Sequence, residues 1–139
     1  RFSDGVIENS SVLLNSNTAS MAGDDGMAAS PADAITFLKL LIEGHIVSEE
    51  SLDIMQYWVL DKLGNPTYGA GCDLTENSGQ KAYGHSGAGL GTGAQLYYFQ
   101  NREIYMFIAV NLATVTESPI HSKVEPLLEE LHRVILNEG

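Results

Sequence analysis

The chain of 139 residues is 44% apolar and carries 18 acidic against 7 basic side chains. This length and apolar content allow one domain with its own hydrophobic core and argue against a disordered chain. The net charge of −11 argues against nucleic acid or an anionic membrane as a partner. No apolar run is long enough to span a bilayer, and the single cysteine, Cys72, cannot form an intramolecular disulfide.

The first part of the chain, residues 1–63, is predicted to be a loop followed by two helices. Residues 1–29 are rich in Ser, Asn, Gly and Asp, a composition that favours loop. Ser30 is a candidate N-cap, apolar residues recur after it at helical spacing, and Gly44 stands where that helix should end. Ser48, followed by two glutamates, predicts the start of the second helix.

The middle of the chain, residues 64–114, is predicted to form antiparallel strands, and residues 115–139 contain a C-terminal helix. Apolar residues at spacings of three and four predict that helix over 122–137. The strand-like runs are 67–74, 81–85, 93–99 and 104–111. These elements together indicate an α+β fold with an antiparallel sheet.

A short polar motif, His85-Ser86-Gly87, lies in a glycine-rich segment that leads into two strand-like runs. Glycines at such a place let another backbone or a substrate approach closely. The motif resembles that of the serine β-lactamase and penicillin-binding-protein-like hydrolases, in their class C, carboxypeptidase and esterase branch. In that superfamily a Lys-Thr-Gly or His-x-Gly strand lines one wall of the active site.

Three weaker patterns extend the resemblance over essentially the whole chain. Their order and spacing match the superfamily, and they are Met21-Ala22-Gly23, residues 44–48, and Tyr68-Gly69-Ala70-Gly71. The resemblance implies the last part of a β-lactamase/transpeptidase-like fold. There, two helices lead into the third to fifth strands of an antiparallel sheet, and a C-terminal helix packs on that sheet.

The resemblance also implies a site on this strand. His85 stands where the family has the Lys or His of its motif, and Ser86 and Gly87 complete the motif beside the substrate. The backbone N–H of Ala88 corresponds to one of the two oxyanion-hole donors, which stabilise the charge that develops during acyl transfer. No metal or cofactor is implied. The competing interpretation is that His85 is a partly buried strand histidine bonded to backbone.

The nucleophile of the superfamily belongs to a helical Ser-x-x-Lys, assisted by a later Tyr-x-Asn. Ser78 and Lys81 have that spacing, but the residues around them indicate a loop, and no Tyr-x-Asn occurs. Because the sequence begins at Arg1 rather than methionine, we expect an upstream portion that carries both motifs. The chain is therefore interpreted as the C-terminal part of a serine hydrolase, inactive alone, whose partners are that portion and a small-molecule or peptide acyl substrate. A periplasmic or secreted location follows from the resemblance only.

Two other functions remain open. Residues 84–88 nearly match the Gly-x-Ser-x-Gly elbow of α/β-hydrolases, which would make Ser86 the nucleophile, with Glu117 and either His121 or His132 as partners. Against this, His132 lies in the predicted C-terminal amphipathic helix, where we expect it to be solvated. The chain could instead be a non-catalytic binding module on a degenerate hydrolase fold. We further expect self-association through an exposed edge at the strand 104–110, because an unpaired apolar edge recruits other chains.

Overall fold

The computed structural model describes residues 2–3, 6–7, 27–88, 92–111 and 121–137. Its helices are α1 (Pro31–Ile42), α2 (Glu49–Met55) and α3 (His121–Asn137). Its strands are β1 (Phe2–Ser3), β2 (Val6–Ile7), β3 (Val59–Leu60), β4 (Pro66–Tyr68), β5 (Asp73–Asn77), β6 (Gln80–Ala88), β7 (Gly93–Phe99) and β8 (Ile104–Val110). The fold is α+β, as the sequence predicts.

Both predicted N-caps open their helices. The Ser30 hydroxyl accepts from the Asp33 N–H, and the Asp33 carboxylate accepts in return from the Ser30 N–H, which completes a capping box. Ser48 likewise accepts from the backbone N–H of Ser51 at the start of α2. Gly44, with a φ of +74°, follows the last turn of α1 and lets the chain leave the helix.

The main sheet has six strands in the order β3-β4-β5-β6-β7-β8, and every neighbouring pair is antiparallel. The predicted single strand at 67–74 is in fact two strands, broken between Tyr68 and Asp73. The break coincides with a close approach to α2, where a Cβ on Gly69 would lie 1.9 Å from the Met55 carbonyl oxygen. The Ala70 N–H donates to that same oxygen at 3.0 Å.

Helices cover both faces of this sheet. On one face α3 packs on a core made of Ala82, Tyr97, Phe99, Met106 and Leu136. Helix α1 packs against β7 and β8 on the other face, since Glu43 just beyond its end acts on the Tyr105 phenol, which points away from that core. Helix α1 buries Leu38 and Leu41, and strands β7 and β8 bury Tyr97, Phe99 and Met106.

Two further details were not in the sequence prediction. Residues 1–29 were expected to be mostly loop, and within them β1 and β2 form a short antiparallel pair in which Phe2 lies opposite Ile7. His132 was expected to be solvated, yet it is 3% exposed and its ring lies 6.4 Å from that of Phe99. The matches at Met21 to Gly23 lie outside the described residues.

Candidate active site

The motif predicted from the sequence lies at the end of β6, where the strand is paired on one side. Strand β5 begins at Asp73, opposite Gly84, and pairs only with the part of β6 before the motif, whereas β7 lies beside β6 as far as the pair of Gly93 and Ala88. Among the described residues, the four from His85 to Ala88 therefore have a strand partner on the β7 side alone. All four are exposed, so this open edge of β6 faces solvent.

Gly84, immediately before the motif, allows β6 to approach β7 closely. A Cβ at this position would lie 2.0 Å from the carbonyl oxygen of Leu96 and 2.8 Å from Cδ1 of Tyr97. Neither distance is compatible with a side chain, so only glycine permits this approach of β6 to β7. At Gly87, by contrast, an added Cβ would meet nothing within 4 Å.

The imidazole of His85 bends over the open edge and contacts two oxygen atoms. Its Nδ1 lies 2.5 Å from the carbonyl oxygen of Ser86, and its Nε2 lies 3.1 Å from the hydroxyl of Tyr68. The Tyr68 and His85 rings also meet edge to face, with centroids 5.8 Å apart and planes at 82°. His85 is therefore exposed rather than a buried strand histidine, although one of its nitrogens does bond to backbone, as the competing interpretation expected.

The polar groups beneath the edge belong to Asp73 and Tyr97. The Tyr97 hydroxyl donates to Oδ2 of Asp73 at 3.2 Å. Burial raises the pKa of the Asp73 carboxyl above its usual value, although Tyr97, His85 and the Ser86 N–H each act in the opposite direction. Burial, with the Asp73 charge added to it, also raises the pKa of Tyr97 to about 12.

The direction of the Ser86 peptide fixes the direction of the Ala88 peptide. The Ser86 N–H faces the Asp73 carboxylate and the Ser86 carbonyl faces His85, so both groups point to the open edge. Backbone N–H groups alternate sides along a strand, and residues two apart point the same way. The N–H of Ala88 consequently points to the open edge, past Asp73 at the start of β5.

A cavity of about 200 Å³ lies next to the end of the motif. It is formed by the ends of β6, β7 and β8 together with one leucine of α3. Its lining residues are Ser86, Gly87, Ala88, Gly93, Ala94, Gln95, Ile108, Val110 and Leu128. Most of this lining is apolar, which suits a small uncharged group rather than an ion.

The residues considered as nucleophiles do not have the local structure that their motifs need. Ser78 lies in the tight turn between β5 and β6 with a φ of +51°, not on a helix. Ser86 lies inside β6, which continues for two more residues, whereas a nucleophile elbow sits at a turn from strand to helix. Glu117 and the side chain of His121 lie outside the described residues, and His132, on α3, is buried against the sheet.

Sequence reasoning missed three residues that the fold brings to the motif. Tyr68 and Asp73 come from β4 and β5, and Tyr97 comes from β7. The Tyr-Gly-Ala-Gly pattern did point to Tyr68, but only as the start of a strand. Nothing local in the sequence relates these side chains to His85, because strand pairing alone sets their distance.

The part of the chain that the structure describes was compared with what a metal site and a membrane span require. Within it, no three His, Cys, Asp or Glu side chains are grouped so that they could hold a metal ion. The helices described there include none long and apolar enough to cross a bilayer.

Comparison with known families identifies the family of the chain. The family model described as Beta-lactamase matches residues 5–123, most of the chain. The chain belongs to the β-lactamase family. The match includes β6 and its motif, so the likeness predicted from His85, Ser86 and Gly87 is confirmed at the level of the family. A search of curated proteins finds no match.

Solved structures with this β-lactamase-family fold include D-amino acid amidase from Ochrobactrum anthropi SV3. Its complex with L-phenylalanine matches with a TM-score of 0.66 and 20% identity, over 79% of this chain and 32% of that one. Its complex with D-phenylalanine matches with a TM-score of 0.59 and 18% identity, over 76% of this chain and 36% of that one. This likeness shows the fold, and the chain spans about one third of the length of those structures.

Proposed function

We propose that this chain supplies one wall of the active site of a serine hydrolase that forms and hydrolyses an acyl-enzyme. The observation that supports the proposal is the open edge of β6, to which the alternation of peptide groups from Ser86 onward directs the Ala88 N–H. A fixed backbone donor at an accessible edge is what an oxyanion hole requires. The family to which the chain belongs makes this use of the edge the natural one.

The motif residues take separate roles in this proposal. The N–H of Ala88 is one of two donors to the oxyanion, and the second is the N–H of the nucleophile in the upstream portion. His85 contacts the substrate and sets the electrostatics of the site. Ser86 and Gly87 form the surface on which the acyl group lies, and the empty space beside Gly87 leaves room for it.

The substrate is an ester, an amide or peptide, or a β-lactam. All three pass through a tetrahedral oxyanion on the way to the acyl-enzyme, so the same backbone donor serves each of them. An amide of an amino acid is a candidate because the matched structures are D-amino acid amidase. The histidine at the first position of the motif, in place of lysine, favours an ester or peptide over a β-lactam.

Covalent labelling of the full-length protein tests the proposal. A fluorophosphonate or a penicillin should label that protein once per active site, whereas the 139-residue chain alone should take no label and turn over no chromogenic ester. A folded full-length protein that resists both reagents would contradict the hydrolase. Turnover by the isolated chain that is lost in Ser86→Ala would instead support the elbow.

A non-catalytic binding module is the second candidate. The observation in its favour is that Ser78, the serine with Ser-x-x-Lys spacing, lies in a turn rather than on a helix. The two candidates predict opposite results in the labelling experiment. A full-length protein without the family's Ser-x-x-Lys and Tyr-x-Asn should bind an acyl ligand at the β6 edge without becoming acylated.

A further inference from the structure

The hydrogen bonds of His85 determine which ring nitrogen carries the proton. The partner of Nδ1 is the carbonyl oxygen of Ser86, which can only accept, so Nδ1 is the nitrogen that bears hydrogen. In a neutral imidazole the other nitrogen then accepts, and the hydroxyl of Tyr68 is the donor to Nε2. Both ring nitrogens are therefore occupied by protein groups.

We propose that Tyr68 is a positioning residue that holds His85 in its Nδ1–H tautomer over the open edge of β6. This inference rests on the proposed function in one respect, namely that His85 is the motif residue that contacts the substrate. The tautomer itself follows from the geometry of the two hydrogen bonds. Tyr68 acts on the reaction through His85.

The backbone of Tyr68 is well placed for this role. Tyr68 pairs with Asp73 across β4 and β5, and Asp73 pairs with Gly84 across β5 and β6. The backbone of Tyr68 therefore lies two strands from Gly84, the residue that precedes His85. Just after Tyr68, the Ala70 N–H bonds to the Met55 carbonyl oxygen, which ties the end of β4 to α2.

The contact between these rings persists when the imidazole changes its charge. If His85 is protonated, Nε2 becomes a donor and the oxygen of Tyr68 accepts, which needs only a rotation of the hydroxyl hydrogen. The edge-to-face packing at 5.8 Å does not depend on that hydrogen. Tyr68 consequently holds the ring in one place through a proton transfer, and a ring held in this way need not be ordered when substrate binds.

Nuclear magnetic resonance on the ¹⁵N-labelled chain tests the tautomer. Long-range ¹H–¹⁵N correlations of the neutral imidazole should show the Nδ1–H pattern for His85. The variant Tyr68→Phe keeps the aromatic ring and removes the donor, so the pattern should become a mixture of the two tautomers. An Nε2–H pattern in the parent chain would overturn the proposal without any variant.

Tyr83→Phe is the matched control for this experiment. It removes a hydroxyl two residues from His85, on the same strand, but that hydroxyl donates to Oε1 of Gln100 at 3.0 Å. We expect the parent pattern of His85 to persist in this control. A change of the same size in both variants, or no change in Tyr68→Phe, would overturn the positioning role.

Kinetics of the full-length protein provide the second measurement. Tyr68→Phe should lower kcat several-fold and leave KM within twofold. The reason is that the His85 ring becomes mobile, whereas Ser86 and Gly87, on which the acyl group lies, keep their places. An unchanged kcat would overturn the role of Tyr68. The proposed function fails separately, if His85→Ala acylates at the parent rate, and the tautomer measurement does not depend on that result.

Discussion

The hydroxyl of Tyr97 donates to the carboxylate of Asp73, with 3.2 Å between Oη and Oδ2, directly beneath the strand that carries the motif. Tyr97 is 5% exposed and belongs to the core on which α3 packs. Asp73 begins β5 and faces the Ser86 peptide. One hydrogen bond thereby links the hydrophobic core to the edge at which we place the substrate.

Removal of this hydrogen bond should destabilise the chain. We expect Tyr97→Phe to lower the free energy of unfolding by about 1 to 3 kcal/mol, because it removes the donor of a partly buried carboxylate. Urea unfolding followed by circular dichroism measures the change. Tyr57→Phe is the control, since Tyr57 is 82% exposed, and its midpoint should equal that of the parent.

The raised pKa of Asp73 has a defined effect on stability. The folded state favours the protonated carboxyl, so this residue stabilises the chain at pH values below the unfolded pKa of 3.8. That contribution is lost as pH rises through the higher folded pKa. In Asp73→Asn, the urea midpoint should not fall between the unfolded and the folded pKa of Asp73, as we expect it to do in the parent chain. Curves of urea midpoint against pH that run parallel for the two chains would contradict the assignment.

His132 should affect stability in the opposite direction. Burial lowers the pKa of this imidazole from 6.5, against the attraction of Glu129, and its Nε2 has no hydrogen-bond partner among the described residues. The neutral ring is favoured on folding, so stability is lost as pH falls from 6.5 towards the lower folded pKa. His132→Leu should abolish that loss in urea midpoints measured across pH.

Gly84 and Gly87 should differ sharply in their tolerance of a side chain. Gly84→Ala places a methyl group 2.0 Å from the Leu96 carbonyl oxygen and must push β6 from β7, which we expect to cost about 2 to 3 kcal/mol of stability. Gly87→Ala meets open space and should change stability by less than about 0.5 kcal/mol. Equal losses in the two variants would show that the strands adjust freely.

Acylation of the full-length protein should depend on the motif side chains. His85→Ala should lower the acylation rate and leave the fold intact, because the residue is exposed at the strand edge. Gly87→Val should lower it further, since a branched side chain would keep the acyl group from the Ala88 N–H. Stopped-flow measurement with a chromogenic ester reports both rates, and parent-like values in the two variants would remove the site assignment.

The sheet ends at β8 in the part of the chain that the structure describes, so self-association stays an open prediction. We expect light scattering to show dimers or larger species of the chain, because β8 is apolar and has β7 as its partner on one side. Ala109→Lys, an exposed site on β8, should reduce association, and Thr36→Lys on α1 should not. A monomeric parent chain would contradict the prediction.

Much of the local structure could be predicted from the sequence because its causes are local. Ser30 and Ser48 have short oxygen-bearing side chains that accept from a backbone N–H three residues later. A helix start therefore needs only neighbours in the sequence. The same holds for the apolar repeat of α3 and for the His85-Ser86-Gly87 motif, on which the family resemblance rested.

The tertiary structure alone decided how the motif is surrounded. His132 looked like a solvated helical residue, but the rotation of α3 on the sheet buried it against Phe99. One predicted strand is two strands, and the break lies at Gly69, where the Met55 carbonyl oxygen at the end of α2 leaves no room for a Cβ. Tyr68 and Asp73 reach His85 and Ser86 through the register of β4, β5 and β6, and register depends on pairing between segments that are distant in sequence.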